Sequence, residues 1–175
     1  IRVPLLMKWP GKIEPNSSSA ARVSNLDFYP TLQNIVSPEK KALLLDGIDL
    51  KPIFEDKTQV ERDLFFHFPI YLQEYQGLQD GSRDPLFRTR PGSVIISGDW
   101  KLHEYFEDGE LELFNLIDDP SEENNVAEQN PDKTQELRKK LMEWRATTNA
   151  KVPSQSNPEY DAAFEQQKIK EKSLR

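Results

Sequence analysis

The 175-residue chain has no cysteine, so disulfides, thiolate metal sites and a cysteine nucleophile are excluded within it. It has only two histidines, which leaves few neutral nitrogen ligands or general bases. No apolar run approaches the roughly 20 residues that a membrane-spanning helix requires. Positive charge is scarce: 23 Lys and Arg stand against 30 Asp and Glu, for a formal charge of −7. That balance argues against nucleic acid, whose phosphates call for a basic footprint. Phosphate-binding loops, dinucleotide fingerprints, zinc-protease helices and the G-x-S-x-G elbow are all missing. The residues alone therefore offer no self-sufficient catalytic constellation.

What is present reads as a short α/β unit followed by a compact β-rich one. "VPLLMKW", residues 3 to 9, is a nearly continuous apolar run closed by Pro10-Gly11, the pattern of a strand covered on both faces. It stands at the very start of a chain that does not begin with Met, which reads as part of a longer protein. After a polar loop, Ser24 and Asp27 have capping-box spacing, and Leu26, Tyr29, Leu32, Ile35 and Val36 follow at mostly helical intervals until Pro38. One strand and one helix cannot close a parallel sheet alone.

"LFFHFPIYL", residues 64 to 72, is a strand that Pro69 ends. Residues 73 to 92 show little periodicity, and loops of that length are functional or disordered. "SVIISGDWKLHEYFEDGELELFNL", residues 93 to 116, alternates in three runs broken at Gly98-Asp99 and Asp108-Gly109, an antiparallel meander. Asn130-Pro131 opens a helix over residues 131 to 147 with Leu137, Leu141 and Trp144 on one face, able to close one side of the meander. The expected organisation is a core unit and connector over 1–62, an α+β subdomain over 63–152 and a tail over 153–175. The tail is expected to dock through Tyr160 and Phe164 or stay without fixed structure.

Candidate site residues are few. His67, among aromatics before a proline and a long loop, suits a pocket rim, with a satisfied core histidine as the plainer reading. Arg83, Arg88 and Arg90 in or beside the loop suit an oxyanion, with ion pairs to Asp80 and Asp84 as the plainer reading. His103 and Lys101 are expected on the meander surface, and the acidic stretch Asp118, Asp119, Glu122 and Glu123 in a solvated turn.

The motifs are more informative in series. "IRVPLLMKWPGKI", "VSNLDFYPTL", "DGIDLKPIF", "RDLFFHFPIY", "RPGSVIISGDWKL", "ELELFNLIDDPSEENNVAE" and "LRKKLMEW" together resemble the C-terminal part of the sulfatase family, bacterial arylsulfatases above all, within the alkaline-phosphatase-like superfamily. The resemblance implies an α/β fold class, here the C-terminal end of a sulfatase-type core, plus a small α+β subdomain whose antiparallel meander packs on a C-terminal helix. It implies sulfate-ester hydrolysis by a formylglycine nucleophile and Ca2+, both upstream of this chain, so that these residues alone are expected to be inactive and to bind neither. The expected partners are a sulfated small molecule or glycan and the missing N-terminal portion of the same protein. The expected location is periplasmic or secreted. By the same resemblance His67, in an "H-x-P-x-Y" segment, faces the substrate, and Arg88 and Arg90 fall where loops set substrate preference. Two alternatives stay open: a phosphate or phosphonate ester hydrolase of the superfamily, and a non-catalytic binding or assembly module.

Overall fold

A computed structural model describes residues 3–39, 45–55, 60–72, 84–155 and 157–173. The chain divides into two compact units at Arg62–Asp63.

In the first unit, Ser24 receives the Leu26 amide on its side chain while the Asp27 carboxylate accepts from the Ser24 amide at 2.6 Å. This capping box opens a 3-10 turn, Asn25–Asp27, that runs into α1, Phe28–Val36. Pro30 is harmless in the first turn, where its missing N–H has no partner to lose. A second short helix, α2, spans Lys51–Glu55. Asp27 ties the unit together. Fully buried, its carboxylate accepts from the Ser24 and Ile48 amides and from both terminal nitrogens of Arg62. Burial pushes this carboxyl up, but Arg62 and the two amides outweigh it and hold it below the ordinary aspartate range. Thr31 continues the knot, donating to the Asp27 carbonyl and accepting from the Leu50 amide. Gly47 passes so close that a Cβ there would lie 2.1 Å from the Leu26 carbonyl oxygen.

The expected strand over residues 3 to 9 does not form: these residues are irregular, with Val3 80 % and Leu6 94 % exposed. A lone apolar segment forms no ladder without a neighbouring strand, and none stands beside it among the described residues.

The second unit is a four-stranded antiparallel sheet in the order β1 Leu64–Phe68, β2 Gly92–Ser97, β3 Trp100–Tyr105, β4 Leu111–Asn115. Gly98 and Gly109 have φ of +52° and +73° at the two meander turns, a conformation that glycine alone adopts without cost. The register places Phe65, Ile95, Leu102 and Leu113 side by side across the four strands. Helix α3, Pro131–Thr148, lays Leu137 and Leu141 on that row, with Trp144 stacked on Phe65 at 5.0 Å. Ile95, Leu102, Leu113 and Leu141 are completely buried, each worth about 1.5–3 kcal/mol of apolar transfer. Asn130 does precede α3, but its amide donates back to the Val126 carbonyl instead of capping.

The tail holds a further helix, α4, Ala162–Ser173. The aromatics expected to dock it, Tyr160 and Phe164, are 57 % and 58 % exposed. Among the described residues no helix is long and apolar enough to cross a membrane.

Candidate functional site

Period-two alternation sends His67 to the α3-covered side of the sheet, in the row His67–Ser93–Glu104. Its Nδ1 lies 2.8 Å from the Ser93 hydroxyl and its Nε2 2.9 Å from the Lys151 carbonyl, just past the end of α3. A carbonyl only accepts, so Nε2 carries a proton, and in the neutral ring Nδ1 takes the serine hydrogen. Phe106 and Trp144 stand beside the ring at 5.7 and 6.3 Å. Both nitrogens thus bracket β1, β2 and the exit of α3, and a ligand at His67 requires one of these bonds to break.

Arg90 lies at the centre of a carboxylate cluster. Its Nε faces Asp84, one terminal nitrogen faces Glu107 of the β3–β4 turn, and the other faces Glu165 of α4 at 3.2 Å. Burial disfavours the guanidinium, but hydrogen bonds to Glu107 and Asp84 prevail and raise its pKa further. Asp84, itself 4 % exposed, also accepts from the Leu86 and Phe87 amides, which shapes the loop before β2. With every nitrogen of its fork on a carboxylate, Arg90 organises the loop. Arg88 is different: it is exposed, and among the described residues no hydrogen bond or ion pair engages it. Arg83 and Asp80 lie outside the described residues. No hydrogen bond or ring contact among the described residues joins His67, Arg88 and Arg90: His67 and Arg90 are engaged by other partners.

Two buried ion clusters went unread in sequence. On the sheet face away from α3, Lys101 is 4 % exposed and its Nζ lies 2.5 and 2.6 Å from the two Glu122 oxygens. His103, on the same face, contributes Nε2 at 3.2 Å. His103 and then Lys101 depress the Glu122 carboxyl to about 2 against the opposing effect of burial. The expected surface positions of Lys101 and His103 are thus corrected, and so is the solvated reading of Glu122. Lys101 stands opposite Phe114 and close to the 116–125 turn, which removes its stem from water. Alternation did place Lys101 and His103 on one face; nothing local showed that Glu122 would fold back over them. On the α3 side, Glu104 is 6 % exposed between Arg138 at 3.1 Å and Arg145 at 2.6 Å, and Arg145 also lies over the Phe106 ring.

The acidic turn is shaped by its own amides. Asp119 accepts from the Glu123 and Asn124 amides, and Asn125 accepts from the Leu113 and Ala127 amides while donating to the Leu111 carbonyl. Asn125 in this way covers the outer edge of β4. Among the described residues no three His, Asp or Glu side chains are grouped to hold a metal ion. In the first unit an open groove of about 430 Å³ is lined by Met7, Trp9, Ile13 and Pro15 with Lys8 and Glu14.

A meander closed on one helix, preceded by a small capped-helix unit, is the fold of a sulfatase C-terminal part. A solved structure of a protein in complex with its substrate D-glucosamine-2-N,6-O-disulfate superposes with a TM-score of 0.64 at 23 % identity, over 86 % of this chain and 29 % of that one. The family described as N-sulphoglucosamine sulphohydrolase, C-terminal, matches residues 1–149, and the chain belongs to this sulfatase family. It is 34 % identical to a sulfatase of Formosa agariphila, over 86 % of this chain and 28 % of the relative. To mouse arylsulfatase K it is 31 % identical over 81 % of this chain and 24 % of that one. To an N-acetylglucosamine-6-O-sulfatase of Bacteroides thetaiotaomicron the values are 28 %, 71 % and 21 %. The chain thus spans about a quarter of the length of the curated relatives it matches.

Proposed function

We propose that this chain is the C-terminal part of an exported, periplasmic or secreted, enzyme that hydrolyses sulfate esters on a carbohydrate. The observation that carries the reading is the family match over residues 1–149; relatives named for sulfated amino sugars support the carbohydrate class. The family chemistry needs Ca2+ and a formylglycine, and the described residues do not fit either. Asp27 and Asp84, the two buried aspartates, are saturated by internal donors, and the sequence holds neither cysteine nor a C/S-x-P-x-R segment. The remainder of the enzyme supplies both.

What this part contributes is a rigid wall. The Leu102 row and the two ion clusters fix the sheet, and the loop shaped by Asp84 and Arg90 presents Arg88 to solvent. Of the three candidates Arg88 is the one with a free fork for a sulfate or a carboxylate of the substrate. The test uses the enzyme expressed from its whole reading frame, with sulfate release from N-acetylglucosamine 6-sulfate followed by ion chromatography. Release of phosphate from phosphomonoesters without sulfate release from any sulfated sugar would overturn the proposal. Within an active enzyme, Arg88→Ala is expected to raise KM about tenfold with kcat little changed; an unchanged KM removes Arg88 from the substrate side.

A further inference from the structure

Helix α4 lies beyond residue 149, where the family match ends, and it is held in an unusual way. Phe164 is mostly exposed, as is Tyr160 just before the helix, so little apolar surface secures them. A helix of 12 residues is marginal by itself in water. Polar contacts tie it to the 84–91 segment at two points, Glu165 and Lys172. Glu165 takes Arg90 on one oxygen at 3.2 Å and the Tyr160 hydroxyl on the other at 2.5 Å. At the far end of α4, Lys172 reaches the Leu86 carbonyl at 3.5 Å. Both ends therefore bear on the loop formed by residues 84–91, whose shape depends on Asp84 and Arg90. Asp84 and Glu107 share the same guanidinium, so three carboxylates compete for one cation.

From this geometry we infer that α4 is a charge-latched strap, closed by Glu165 on Arg90, that steadies the 84–91 loop and opens when the latch is screened or removed. With the strap open, Arg90 loses one of three carboxylates and the loop that carries Arg88 loses its clamp at both ends. The strap thus couples the C-terminal arm to the loop without contributing to the sheet core. Ionic strength is its natural lever, since the Debye length falls to about 3 Å at 1 M salt.

The experiment is amide hydrogen exchange on the enzyme expressed from its whole reading frame, wild type and Glu165→Ala, in 50 mM and 1 M NaCl. In low salt the variant is expected to exchange about three- to tenfold faster than wild type across α4 and at the Leu86 and Phe87 amides. High salt should bring wild type close to the variant. The Ile95 and Leu102 amides, in the sheet core, should not change, which shows that the variant is folded. Tyr160→Phe, which removes only one bond to Glu165, should fall between the two. Equal exchange in wild type and Glu165→Ala overturns the inference: equal protection means that something other than the latch holds α4, and equal lack of protection means that α4 does not dock. Faster exchange in α4 with an unaltered 84–91 loop overturns the coupling.

Discussion

Replacing Glu122 by Gln removes the charge that compensates Lys101 while keeping the side-chain shape. The Lys101 ammonium is almost wholly buried and lies 2.5 Å from the carboxylate, so the variant leaves a cation out of water with only a neutral acceptor. The depression of the Glu122 carboxyl, due first to His103 and then to Lys101, bounds the joint effect of the two. A fall from 4.5 to about 2 sets an upper bound of about 3 kcal/mol. Solvent reaches a side chain that is 27 % exposed, which lowers the expected value to about 1–2 kcal/mol. The sign follows from the direction of the shift. The stabilisation is complete above the ordinary glutamate range and is lost as pH falls from about 4.5 toward 2, because the unfolded chain takes up the proton first.

The assay is urea unfolding followed by tryptophan fluorescence in a Trp9→Phe background, so that only Trp100 and Trp144, both against the second unit's core, report. At pH 7, Glu122→Gln should lower the midpoint by about 1 M urea. The gap between the two proteins should then close between pH 5 and 2.5, as protonation makes the wild-type carboxyl resemble the amide. A gap that stays constant over this range would refute the link between the depressed carboxyl and the buried lysine. A variant as stable as wild type at pH 7 would refute the ion pair itself.

Three further outcomes follow from the same contacts. Gly47→Ala should destabilise the first unit by about 2–4 kcal/mol, because the new Cβ meets backbone at 2.1 Å and neither strand of chain can yield; faster exchange at the Ile48 and Leu50 amides would show it. Asp27→Asn should cost about 2–3 kcal/mol in that unit. It should also abolish the wild-type loss of stability as pH falls below the ordinary aspartate value of 3.8, read from Trp9 fluorescence. Leu141→Ala, at a fully buried position against Ile95 and Leu102, should lower second-unit stability by about 2–5 kcal/mol in urea unfolding.

Where local chemistry decides structure, the sequence was legible. Gly98 and Gly109 announced the two meander turns, Ser24 and Asp27 the capped helix start, Pro69 the end of β1, and Leu137, Leu141 and Trp144 the packed face of α3. The failures share a cause. Residues 3 to 9 have the composition of a buried strand, but a ladder needs a neighbour, and composition does not supply one. Tyr160 and Phe164 looked like anchors because aromatics usually are. The contact the structure shows is made by Glu165, one charge among many, whose partner Arg90 lies 75 residues away in the chain.

The site residues show the same division more sharply. His67 stood open between a pocket rim and a satisfied core histidine because sequence shows a ring and not its partners; Ser93 arrives through strand pairing and Lys151 through the exit of α3. Lys101 looked exposed because lysine usually is, and Glu122 looked solvated because it sits in an acidic turn. Yet these residues belong to the very segments, "GDWKL" and "DDPSEENN", whose succession identified the family. The structure joins the two segments. Lys101 of one holds Glu122 of the other, His103 adds a second contact, and Asn125 covers the edge of the strand between them. A change in either segment alone strands a buried charge or exposes a sheet edge. If so, the loss from Lys101→Met should be largely recovered when Glu122 is replaced by Gln in the same molecule. A double-mutant cycle in the urea assay should return a coupling of about 1 kcal/mol or more, and simple additivity would show that the two segments fold independently.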